Sequence, residues 1–153
     1  MREAYKYRDW VIRAFNKDMP FNEFVREQIA GDILAKRHSI NAPLQYSDQI
    51  TATGFLAIGK RYGYKDSPDY QHLDFADVID TLGRSLQGLS IGCARCHDHK
   101  YDPISADDYY GLYGILQSTK WAFPGGEEQK IPAHFPPLVP PEKVFALEKF
   151  NTE

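Results

Sequence analysis

Both cysteines of the chain and two of its five histidines fall within seven positions of one stretch, Gly92-Cys93-Ala94-Arg95-Cys96-His97-Asp98-His99-Lys100-Tyr101-Asp102-Pro103-Ile104-Ser105. Cys93 to His97 is a CxxCH sequence. Two thiols about one turn apart can each add to a vinyl group on one edge of a haem, and the next residue, His97, then lies under the ring as proximal iron ligand. Three other chemistries use the same residue types. Zinc could take Cys93, Cys96 and His97 or His99, with a fourth ligand such as His72. A CxxC pair could cycle between dithiol and disulfide, although that chemistry usually follows a strand in an α/β setting. A disulfide, or two buried thiols in a turn, would be purely structural.

The remaining candidates are weighed in the same way. His99, two residues beyond His97, is too close in sequence to reach the opposite face of the same haem. It is expected to orient the site or to serve a neighbouring centre. His72 is the better distal candidate by sequence distance. His38 and His134 fall in expected loops and read as surface residues. Met19, next to Pro20, reads as a core residue.

The elements that must position these groups read as helices. Tyr7, Trp10, Val11, Ala14 and Phe15 share one face between Tyr5 and Phe15. The stretch 17–20 breaks that helix, since the residue before a proline avoids helical geometry. A second face carries Phe21, Phe24, Val25, Gln28, Ile29 and Ile33. Residues 39–44 read as loop, and a third helix is expected from Ser47. Residues 59–70 are loop by their Gly, Asp, Ser and Pro content. The longest periodic run is Leu73, Phe75, Val78, Ile79, Leu82, Leu86 and Leu89. Asp74 and Asp77 are placed in its first turn, at the positive end of the dipole. This run predicts that Leu82, Leu86 and Leu89 are buried on the helix that delivers the chain to Gly92. Ser105 opens a capping box with Asp108 before a short helix over 109–117. Residues 123–141 are rich in Pro and Gly and read as an extended strap. A last short helix begins at Pro141, where a missing N–H costs nothing. The fold expected is all-α: a helical domain over 1–122, with the strap and terminal helix of 123–153 belonging to the same domain.

A chain of 153 residues buries roughly two-thirds of its unfolded surface in one domain and needs no staples to fold. Aromatic residues reach 14 %, a supply that suits a core or the walls of a flat apolar pocket. Eighteen basic and twenty-one acidic residues give a formal charge of −3, and the basic residues are scattered, which speaks against a nucleic-acid partner. No stretch has the roughly 18 apolar residues of a membrane span. The first ten residues are charged and aromatic where a signal peptide would be apolar.

The stretches around residues 7–34, 52–59 and 77–119, with the Lys120–Lys130 region, resemble the planctomycete-type cytochrome-c-like domain of large secreted bacterial proteins, a domain of unknown function. The resemblance runs from about Tyr7 to about Val144, and residues 92–105 are its most specific part. It implies a c-type haem on Cys93, Cys96 and His97 in a periplasmic or extracellular protein, with other cytochrome or redox domains as partners and assembly with other chains. Family members are longer, so the chain reads as an excerpt whose signal peptide lies elsewhere. The resemblance supplies no established reaction. Electron transfer in a larger redox chain is the first expectation. A haem- or metal-dependent enzyme using the Cys93, Cys96, His97 and His99 cluster is the second, and a disulfide-bearing structural module the third.

Overall fold

A computed structural model describes residues 4–38, 43–60, 62, 68–120 and 135–152. Among the described residues every regular element is helical, as the periodicity predicts. The chain gathers into two compact units, one of Met1–Ile58 with Glu127–Glu153 and one of Gly59–Gly126.

In the first unit, α1 (Ala4–Asn16) buries Trp10 and Ala14 one turn apart, together with Ala52. Phe15, expected on that face, is 73 % exposed. The helix stops at a left-handed residue, Asp18, with φ of 51°. The Met19 amide bonds to the Ala14 carbonyl and the Asp18 amide to that of Phe15, the paired geometry that satisfies a helix's last carbonyls. Met19 packs against the Trp10 cluster with Tyr7, Val11 and Phe24, which is the core role predicted for it. The Trp10 and Phe24 rings stack with centroids 5.2 Å apart.

The second helix, α2 (Phe21–His38), is broken at Ala30, whose φ of −138° and ψ of 27° are not helical. A single face therefore does not run its length. Phe21, Ile29 and Ile33 are exposed, at 68 %, 40 % and 53 %, which corrects the predicted stripe. Gly31, just past the break, lies so close to α3 that a Cβ there would collide with the Gln49 carbonyl. Ala35 is then buried with Tyr46 and Ile50 of α3 (Pro43–Ala52) and with Leu138. That third helix starts at Pro43, ahead of the predicted Ser47. A short α4 (Gly54–Ile58) follows.

The second unit carries the motif. Its long helix, α5, covers Pro68–Leu82 and buries Phe75, Val78 and Ile79. Because it starts at Pro68, Asp74 and Asp77 are mid-helix residues, not first-turn acids. They take backbone amides from ahead of the helix: Asp77 Oδ2 accepts from the Lys60 amide at 3.3 Å and Asp74 Oδ1 from the Tyr62 amide at 3.2 Å. The predicted periodicity fails after Leu82. Residues Gly83–Gln87 form one π-helical turn, closed by left-handed Gly88. The wider turn shifts the angular phase. Leu86 is thus 37 % exposed, and Leu82 and Leu89 are only half-buried, not the buried row expected.

The predicted capping box is present at the start of α6 (Ala106–Ser118): Ser105 and Asp108 exchange side-chain and backbone hydrogen bonds. Backbone and side-chain donors from Ser105 hold the Asp108 carboxyl below its ordinary value. Tyr109 and Leu116 face inward, and Tyr113 meets Phe75 edge-on at 5.4 Å. The terminal helix α7 begins at Pro141 and runs to Thr152. Of the predicted strap, residues 123–134, with His134, lie outside the described residues. His38 ends α2 instead of lying in a loop, and its side chain is not among those described.

Candidate functional site

Residues Ile91–Arg95 form a 3-10 turn. Three residues per turn places positions three apart on the same side. Ile91 and Ala94 are therefore both buried, while Cys93 and Cys96 both face outward as free, exposed thiols. The CxxC spacing presents two thiols on one face. A buried thiol pair, one of the structural readings, is overturned by that exposure. The turn seats closely on the helix before it: a Cβ at Gly92 would come 2.9 Å from Asp80 Oδ1, and one at Gly83 would come 2.8 Å from both Ile91 Cγ1 and the Leu89 carbonyl oxygen. From the other side, the Tyr110 hydroxyl of α6 donates to the Arg95 carbonyl at 3.1 Å.

The two histidines of the motif are held in opposite ways. His97 is exposed, and its Nδ1 is 2.7 Å from the Asp98 carbonyl oxygen. A carbonyl only accepts, so Nδ1 carries the proton and donates. In the neutral ring Nε2 then keeps its lone pair, and it has no hydrogen bond among the described residues. His99, by contrast, has a side chain only 7 % exposed. Its Nδ1 accepts from the Asp102 amide at 2.9 Å and the Tyr101 amide at 3.3 Å. The proton of the neutral ring therefore sits on Nε2, which donates to Ser90 Oγ at 3.0 Å. Asp102 Oδ2 also lies 3.3 Å from Nδ1. That contact would be an ion pair only in an imidazolium, and the two amides already directed at Nδ1 fit the neutral ring.

The loop after the motif is closed by the same residues. The His99 amide donates to the Ile104 carbonyl at 2.8 Å and the Ile104 amide to that of Asp102 at 2.7 Å. Asp98 Oδ1 accepts the Ala106 amide at 2.8 Å and so serves the start of α6. Asp98, His99 and Asp102 thus hold the loop that follows His97. His72, the distal candidate, is an exposed residue of α5. Among the described residues no group of three or more His, Cys, Asp or Glu side chains is gathered to hold a metal ion.

Two partners of the motif carry no signal in the sequence. The Ser90 side chain is engaged because His99 folds back on it. Tyr109 is 1 % exposed and its hydroxyl has no hydrogen-bond partner among the described residues. Burial raises its pKa, with Arg95 and Cys96 among the groups whose charges act on it.

An all-helical protein with an outward-facing CxxCH is the class these features define. Over residues 1–121 of its 153 the chain matches PSCyt2, described as a protein of unknown function (DUF1549), and it belongs to that family. No curated protein and no solved structure matches it. Among the described residues no helix is long and apolar enough to cross a membrane.

Proposed function

We propose that the chain is a c-type haem module that transfers electrons within a larger exported redox protein or assembly. Cys93 and Cys96 are the thioether attachment points and His97 Nε2 the proximal ligand. The observation that carries this reading is the opposite engagement of the two histidines. A metal-ligating histidine characteristically donates its second ring N–H to a carbonyl or carboxylate, which fixes its tautomer and orientation. His97 meets that description, with Nδ1 on the Asp98 carbonyl and Nε2 unengaged. His99 has both nitrogens in use. The donor set also fits: the two thiols are unbridged and exposed, three positions apart at a 3-10 turn and its C-cap.

Bound there, a haem would supply one-electron exchange at its iron, with a potential set by axial ligand, burial and hydrogen bonding. The chain's own part is to hold the ligand ring still and to keep its Nε2 lone pair available. Other cytochrome or redox domains are the partners this reading requires. Attachment of haem c requires export, which makes the location periplasmic or extracellular.

The test is export of the chain alongside haem-maturation machinery, followed by intact mass after acid–organic extraction. The expected mass exceeds the polypeptide by one haem. His97→Ala abolishes incorporation or changes the spectrum, and His99→Ala leaves attachment in place. A sharp low-spin spectrum fits electron transfer, whereas a broad high-spin one indicates an open, enzyme-like site. A mass equal to the bare chain, or lower by the two hydrogens of a disulfide, overturns the haem reading. Stoichiometric zinc that depends on His99 but not His97 would replace it with a zinc site.

A further inference from the structure

We propose that His99 is the positioning residue for His97: a hydrogen-bond clamp that fixes the ring of the proximal ligand before any haem arrives. The proposal rests on the haem reading for its purpose and on geometry for its mechanism.

The link between the two rings is one peptide unit, Asp98–His99. Its carbonyl accepts the His97 Nδ1 proton at 2.7 Å. Its amide donates to the Ile104 carbonyl at 2.8 Å. Turning this peptide plane would break both bonds at once and free the His97 ring. The His99 side chain, leaving the same unit, prevents that turn. Its Nδ1 takes two amides of the following loop, and its Nε2 proton ties back to Ser90, nine residues earlier. Ser90 is the residue from which the 3-10 turn starts, and its carbonyl accepts the Cys93 amide at 3.0 Å. One imidazole therefore joins the entry of the cysteine turn to the loop that leaves it. Asp98 Oδ1, bonded to the Ala106 amide at 2.8 Å, anchors the same unit to α6. With its side chain only 7 % exposed, the clamp is sheltered from competing water, while His97 and both thiols stay outside.

A pinned imidazole loses less rotational freedom when it becomes a ligand, and the orientation of an axial histidine is one of the levers on iron potential. The two amides need only an acceptor at the position of Nδ1, so an asparagine, whose Oδ1 stands near it, can accept both. Asparagine cannot reach Ser90.

The experiment uses the full chain, apo and haem-loaded, as wild type, His99→Ala, His99→Asn and Ser90→Ala. In the apo protein, two-bond proton–nitrogen spectra of the imidazoles are expected to show His97 protonated on Nδ1 and His99 on Nε2. In His99→Ala, His97 loses its fixed Nδ1–H form, and the Tyr101 and Asp102 amides exchange about tenfold faster or more. His99→Asn restores slow exchange at both amides and most of the His97 signature, and Ser90→Ala gives an intermediate loss. In the loaded protein His99→Ala keeps its covalent haem but shifts the midpoint potential and the paramagnetically shifted signals of the axial ring. A merely structural role would lower stability without moving those last two readouts. If His99→Ala fails to fold, the His99→Asn and Ser90→Ala pair decides between the outcomes. The clamp is overturned if His97 keeps its tautomer and the potential stays put in His99→Ala, even where haem is attached. A wild-type chain that takes no haem sinks the functional reading, and the apo imidazole spectra still judge the clamp by themselves.

Discussion

Replacing Gly83 with alanine should destabilise the unit that carries the motif, although the same replacement usually strengthens a helix. The new Cβ would sit 2.8 Å from the Leu89 carbonyl oxygen and 2.8 Å from Ile91 Cγ1. Both distances fall 0.6 Å short of the 3.4 Å at which ordinary contact begins. Neither neighbour can yield cheaply. The Leu89 backbone is tied to the Gly83 carbonyl through its own amide at 3.0 Å, and Ile91 is only 6 % exposed. Overpacking of this kind costs about 1–3 kcal/mol. Against it stands about 0.5–1 kcal/mol from the lower backbone entropy of alanine. The net loss is about 1–2 kcal/mol, which lowers a urea midpoint by about 0.5–1 M at an ordinary denaturant slope. The internal control is Gly114→Ala in α6, where nothing lies within 4 Å of a new Cβ and a gain of about 0.5–1 kcal/mol is expected. Urea unfolding followed by far-UV circular dichroism reads both. If Gly83→Ala stabilises as Gly114→Ala does, the close seating of the cysteine turn on the preceding helix is wrong.

Three further outcomes are expected. Ile79, fully buried, should lose about 2–5 kcal/mol on truncation to alanine, while exposed Leu86 should lose about 0.5 kcal/mol or less; equal losses in the two unfolding curves would restore an unbroken helix through residue 86. The carboxyl of Glu27 is held above its ordinary 4.5, chiefly by burial, with Asp48 and Glu23 adding repulsion and Gln49 opposing. A raised folded value means that the ionised group opposes folding, so its contribution is most favourable below pH 4.5 and is lost as pH rises through the folded value. Glu27→Gln should thus stabilise at pH 7 and have a smaller effect at pH 4; the reverse trend in denaturant midpoints would count against the burial. Tyr109→Phe removes a buried hydroxyl that has no hydrogen-bond partner among the described residues and should leave stability unchanged or raise it by about 1–3 kcal/mol; a clear fall in melting temperature would reveal a hydrogen-bond partner, such as a buried water, for that oxygen.

Features governed by neighbours in the chain were legible in the sequence. The capping box of Ser105 and Asp108, the start of the last helix at Pro141, the core role of Met19 and the all-helical class all follow from residues within a few positions of one another. The pairing of Cys93 with Cys96 on one face is likewise local, because the spacing matches one 3-10 turn. Two breaks in periodicity were not legible. At Ala30 and at Gly83–Gln87 the backbone leaves the regular helix, and each departure rotates every later side chain, so faces read with one continuous period put Ile33 and Leu86 inside. What fixes those breaks is packing from distant residues: the Gln49 carbonyl against Gly31, and Leu89 and Ile91 against Gly83. The two motif histidines show the same division. Sequence predicts unequal roles for them, since only His97 directly follows the second cysteine. Which ring is free and which is tied was decided by tertiary structure, because the tautomer of each follows from acceptors and donors, Ser90 Oγ and the Asp102 amide among them, that only the folded chain brings to the imidazole.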